Sequence, residues 1–85
     1  MKIDIRYFAS VRETLGTAHE SVELPESVAT VGAVREFLVA RGGVWAKALD
    51  GKRALRMAYR QQMADETTPL AEAGEVAFFP PVTGG

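Results

Sequence analysis

The sequence predicts an α+β fold, a mixed sheet of four to five strands packed on one main helix. Three observations carry that expectation. Several stretches alternate apolar and polar residues, the period-two pattern of a half-buried strand. One stretch, 31–41, repeats apolar residues at three- and four-residue spacing, as a helix lying on a sheet does. The last segment, Glu75 to Phe79, is apolar on both faces, and such a strand belongs in the middle of a sheet.

Taken in order, Lys2 to Phe8 is the first strand, with Ile3, Ile5 and Tyr7 on one face and Lys2, Asp4, Arg6 and Phe8 on the other. Phe8 breaks an otherwise polar face. Ala9 to Leu15 forms a short helical turn that Ser10 can cap and Gly16 can stop. A second strand covers about His19 to Leu24 and ends at Pro25. Thr30 is placed to cap the main helix, Val31 to Arg41, whose apolar stripe is Val31, Val34, Phe37 and Leu38 while Arg35, Glu36 and Arg41 point elsewhere. Gly42 and Gly43 stop it, and Arg41 suits the negative end of the helix dipole. Val44 to Leu49 makes a short further helix that sets Trp45 against the core, and Asp50-Gly51 is a turn. In the third strand Leu55, Met57 and Tyr59 alternate with Ala54, Arg56, Ala58 and Arg60, which puts a row of arginines on the outer face. Gln61 to Ala64 is a brief fourth strand, Asp65 to Pro69 a loop and Leu70 to Ala73 a short turn.

This order is strand, strand, helix, strand, short strand, strand. A hairpin followed by a crossover through the helix sets the final strand parallel to the first and beside it. The result is a β-grasp, ubiquitin-like roll over residues 1–79, followed by a projecting segment, 80–85. Phe8 and Phe79 then stand at the C-terminal ends of neighbouring parallel strands, on the face away from the helix. Two large aromatics there predict an apolar docking patch.

Composition narrows the function. Eighty-five residues allow one domain, and 47% hydrophobic with 25% charged residues is ordinary for a soluble globular chain. A net charge of −1, from ten basic and eleven acidic residues, gives nucleic acid no concentrated basic surface to bind. Lys2-Ile3-Asp4-Ile5-Arg6 is no signal-peptide core and no stretch is long enough to span a membrane, so the cytoplasm is the expected compartment. With no cysteine and one histidine, His19, the chain offers no disulfide, no thiol nucleophile and no metal site. His19 is expected at the surface or a strand edge. No phosphate-binding loop, dinucleotide fingerprint or catalytic carboxylate pair is present; Glu72, Glu75, Asp65 and Glu66 are expected as solvated loop charges.

The chemistry is therefore expected at the end of the chain. Pro80 and Pro81 cannot donate to a ladder and favour an extended polyproline course, so the chain leaves the sheet after Phe79. From Pro80 through Pro81, Val82, Thr83 and Gly84 to Gly85, an extended arm reaches roughly 20 Å at about 3.3 Å per residue. Gly84 and Gly85 have no Cβ and can thread a channel closed to other residues. The Gly85 carboxylate is ionised at neutral pH and a poor electrophile, so it needs activation by a second protein. Once adenylated, its acyl group could pass to an amine, as in a protein modifier, or to sulfide, giving a sulfur-donating thiocarboxylate. A binding module with an inert end is the third reading.

The stretches Tyr7-Phe8-Ala9-Ser10-Val11-Arg12-Glu13 and Gly74-Glu75-Val76-Ala77-Phe78-Phe79-Pro80-Pro81-Val82-Thr83-Gly84-Gly85 resemble the small subunits of molybdopterin synthase, the MoaD-type sulfur carriers. The resemblance spans essentially the whole chain. It implies a Gly85 that is adenylated by a ubiquitin-activating-type enzyme with ATP, converted to a thiocarboxylate by a sulfur donor, and inserted into the large subunit. There the sulfur would pass to cyclic pyranopterin monophosphate, with no cofactor held by this chain. By position, Phe8, Met63 and Phe79 match the family's apolar contacts with the large subunit. Carriers of other pathways, such as thiazole synthesis, share the glycines. This chain departs from the family where Arg60-Gln61 replaces a frequent Asn-Gln, and Glu72-Ala73-Gly74 an Asp-Gly-Asp.

Overall fold

A computed structural model describes residues 1–71 and 73–81. Its elements run β1 (Lys2–Tyr7), α1 (Ala9–Leu15), β2 (His19–Glu23), α2 (Val31–Val39), α3 (Gly43–Leu49), β3 (Arg56–Tyr59), β4 (Gln62–Ala64) and β5 (Glu75–Phe79). One sheet of order β2-β1-β5-β3-β4 results. β5 lies parallel to β1, with Tyr7 opposite Phe78, and antiparallel to β3, while β1 and β2 form an antiparallel hairpin. The strand with two apolar faces is the central one, as its composition requires.

Alternation decides the two faces. Ile3, Ile5, Tyr7, Val76, Phe78 and Met57 point inward and meet Val31, Val34 and Leu38 of α2, all fully or nearly fully buried. The Thr30 hydroxyl accepts the Ala33 amide proton at 3.1 Å, satisfying a donor that the first turn leaves free. Pro69 bridges to Thr30, and the Glu66 carbonyl accepts from Gly32 at 3.0 Å. A Cβ on Gly32 would lie 2.8 Å from both the Cβ and the carbonyl oxygen of Glu66, so only glycine lets the loop pass so close.

Several expectations are corrected. Phe8 is outside β1 and is itself the N-cap of α1, whose start has no side-chain cap, so Ser10 does not serve there. Ala9 turns the chain at φ 50, a left-handed conformation that alanine seldom adopts and that no composition signal announces. β2 ends at Glu23, and α3 takes in Gly43. α2 stops at Val39, two residues before Arg41, and Phe37 is only half-buried at its flank. β3 begins at Arg56 and ends at Tyr59; Arg60 and Gln61, at φ 52 and 67, form the turn into β4. The expected outer row of arginines thus reduces to Arg56, because Arg60 lies in the turn. Two successive positive φ values match the twist of a tight hairpin, so Arg60-Gln61 keeps the turn that Asn favours.

The largest departure is Arg35, which is 5% exposed. Its Nε donates to the Leu49 carbonyl at 2.7 Å, and its Nη2 donates to the carbonyls of Asp50 and Arg53. Leu49 is the last residue of α3 and Asp50 its C-cap, where helix carbonyls have no partner of their own. The guanidinium of one helix therefore caps the end of the next. Arg41, the other misplaced cation, lies 4.4 Å over the Trp45 ring and pairs with Glu20 at 2.8 Å. Glu20 also accepts from the Tyr7 hydroxyl at 3.2 Å, tying edge strand β2 to the helical layer. Trp45 meets Tyr7 edge-on at 5.7 Å between centroids, against the core as expected.

Candidate functional site

The outer face of the sheet, away from α2, comes together where β1 and β5 end. Phe8 reaches it because Ala9 turns the chain immediately afterwards, and its amide stays tied to the Phe78 carbonyl at 3.2 Å. Phe79 follows Phe78 on the opposite face by simple alternation. The two rings meet edge to face, 6.4 Å between centroids and 87° apart. Phe8 is nonetheless 44% exposed, so the pair covers only part of itself.

Met63, 64% exposed, stands in β4 opposite Ala58, which in turn faces Ala77 of β5. Two strand spacings put it about 10 Å from β5, so it does not join the aromatic pair directly. The small side chains of Ala58 and Ala77 leave a shallow apolar floor between Met63 and the phenylalanines. Those alanines were not singled out by the sequence, since an alanine in a strand gives no sign of the shape it leaves. Charge surrounds the floor. Arg6, opposite Ala77, pairs with Glu75 at 2.6 Å, and Arg56 stands opposite Phe79. At the other end of the face, the Ser21 hydroxyl donates to Asp4 and holds its carboxyl below the usual carboxylate range, helped by His19 at 3.8 Å. His19 is half-exposed on an edge strand, as expected.

Pro80 and Pro81 follow Phe79 outside any strand, half-buried at the root of the arm. Val82, Thr83, Gly84 and Gly85 lie outside the described residues, as does Glu72. Among the described residues no helix is long and apolar enough to cross a membrane, and no three carboxylate, histidine or cysteine groups cluster as a metal site. A concavity of about 330 Å³ on the helical side is lined by Gly32, Arg35, Glu36, Val39 and Glu66. Arg35 there spends three donor contacts on backbone carbonyls and turns Nη1 toward Glu66 at 3.9 Å. This hollow is a packing feature of the α2–α3 clamp.

A mixed five-stranded sheet closed over one principal helix, with an aromatic pair where its central strand ends, defines a β-grasp domain of the ubiquitin-like class. Comparison with known proteins narrows the class. The ThiS family model matches residues 5–85, and the chain belongs to the ThiS family. A curated relative from Escherichia coli (strain K12), 44% identical over 98% of this chain and 99% of its own, is the molybdopterin synthase sulfur carrier subunit. Among solved structures, small archaeal modifier protein 1 of H. volcanii superposes with a TM-score of 0.73, at 23% identity over 95% of this chain and 98% of that one. One chain of the protein–protein complex of subunits 1 and 2 of the molybdopterin-converting factor from Helicobacter pylori 26695 gives a TM-score of 0.66 at 20% identity, over 100% of this chain and 100% of that one. At those identities the structures speak for the fold.

Proposed function

We propose that this chain is the sulfur-carrier subunit of a two-subunit molybdopterin synthase, working in the cytoplasm. The observation that carries this reading is the 44% identity to such a carrier across essentially the full length of both chains. The aromatic pair at the root of the arm, with Phe8 exposed and Phe79 half-buried, supports it, because a carrier must dock its body before its end can react.

The chemistry belongs to Gly85. Its carboxylate attacks the α-phosphate of ATP on a ubiquitin-activating-type enzyme; pyrophosphate leaves and an acyl-adenylate forms. A sulfur donor then delivers sulfide to the acyl carbon, AMP departs, and a thiocarboxylate remains. Phe8, Phe79 and Met63 seat the domain on the large subunit, while Pro80, Pro81, Val82, Thr83 and Gly84 carry the end inward. Within the large subunit the thiocarboxylate sulfur displaces an oxygen at a carbon of cyclic pyranopterin monophosphate, so that a carbon–sulfur bond forms as the carbon–oxygen bond breaks and the oxygen leaves with its electron pair. Water then cleaves the acyl–sulfur bond, leaving sulfur on the substrate and restoring the Gly85 carboxylate. One end carries one sulfur, so the dithiolene consumes two loaded chains.

Reconstitution tests this. Loaded chain, large subunit and cyclic pyranopterin monophosphate are expected to yield dithiolene, and chain lacking Gly85 none. Attachment of the chain to lysines of other proteins, without dithiolene formation, would instead assign it to protein modification.

A further inference from the structure

We infer that Arg56 is a specificity-determining contact of the docking face, which pairs with a carboxylate on the rim of the large-subunit channel that admits the arm. The inference rests on the functional reading above. Arg56 is exposed and lies directly opposite Phe79 in the β3–β5 ladder, so the two side chains leave the same face side by side. Among the described residues it has no carboxylate within ion-pair distance. Its neighbours are committed elsewhere. Glu75 is held by Arg6 on the same face. Asp65, one position beyond the Met57–Ala64 pair, turns its carboxylate to the amide and hydroxyl of Thr67 at 2.8 and 2.7 Å. Asp50, in the loop leading to β3, accepts from the Lys52 amide at 2.9 Å.

A partner that covers Phe79 must strip water from the adjacent guanidinium. An unpaired charge taken out of water is strongly disfavoured, so a surface that fits this face has to supply an acceptor. Reach decides which acceptor. On that reading the nucleotide and the pterin phosphate meet Gly85, which six residues, if extended, would set roughly 20 Å beyond the sheet, whereas an arginine side chain reaches only a fraction of that. The phosphates are thus beyond Arg56, and the protein surface around the channel mouth is within its range. Arginine favours a carboxylate there because its planar fork binds both oxygens.

The test measures binding of the large subunit to intact chain, Arg56→Met and Arg56→Glu at low and high salt, together with melting temperature and dithiolene formation at saturating large subunit. The inference predicts losses of about tenfold for Arg56→Met and more than a hundredfold for Arg56→Glu at low salt. It also predicts that the Arg56→Glu deficit shrinks at high salt, that melting is unchanged, and that dithiolene forms at the normal rate once the complex is saturated. Equal affinity of Arg56→Glu and the intact chain overturns it, as does a deficit indifferent to salt. So does normal large-subunit binding with impaired adenylation, which would assign Arg56 to the activating enzyme. Failure of the intact chain itself to bind would sink the functional reading, and the inference with it.

Discussion

Replacing Arg35 by methionine keeps the length and apolar stem of the side chain but removes every donor. Two carbonyls lose their partner, those of Leu49 and Arg53, while that of Asp50 keeps the Arg53 amide at 2.8 Å. The bond to Leu49 is buried and the one to Arg53 partly so, which lets water reach the latter. An unsatisfied buried acceptor costs about 1–3 kcal/mol and the part-hydrated Arg53 carbonyl adds less, for a total of about 2–3 kcal/mol. Removing a charge from the interior offsets little, because replacing a buried ionic group is neutral only when its partners are replaced as well. For a domain of this size the loss lowers the melting temperature by roughly 10–20 °C. Thermal and urea unfolding followed by circular dichroism would read it. Arg35→Lys should fall in between, since one ammonium cannot span three carbonyls. A loss below about 1 kcal/mol for Arg35→Met would refute the cross-helix cap as a stabilising element.

Gly32→Ala places a methyl against the Glu66 backbone and should cost about 1–3 kcal/mol in urea unfolding; wild-type stability would mean that the 65–69 loop yields freely. Phe8→Ala and Phe79→Ala should each weaken large-subunit binding in calorimetry by about 2 kcal/mol. Normal binding by either, or loss only through unfolding, would remove the aromatic pair from the interface. Burial, then the neighbouring Glu20, raises the Tyr7 hydroxyl above its ordinary pKa of 10.0. Above pH 10 the unfolded chain releases this proton while the folded chain keeps it, so stability present below pH 10 declines as pH rises. Tyr7→Phe should flatten that decline in pH-dependent urea melts; an unchanged slope would place its origin elsewhere.

Periodicity made most of the fold legible. The alternation in β1, the doubly apolar β5 and the Thr30 cap all report short-range physics, and the structure follows them. Arg35 escaped because a charged residue inside a helical stripe normally points to solvent; only the distant end of α3, fourteen residues on, supplies the carbonyls that hold it. Ala9 escaped for the opposite reason, since its left-handed turn is imposed by packing against its own preference. The Phe8–Phe79 patch was foreseeable because parallel neighbours bring two strand ends together. The floor of Ala58 and Ala77 was not, because shape across three strands is a property of register.

The most direct measurement of the central claim is the intact mass of the chain through one cycle. After incubation with activating enzyme, ATP and a sulfur donor, the mass should rise by the difference between a sulfur and an oxygen atom, with fragmentation placing the change on Gly85. Addition of large subunit and cyclic pyranopterin monophosphate should return the mass to its starting value. A chain whose mass never changes, or whose added sulfur stays in place while dithiolene forms, would contradict sulfur carriage by Gly85.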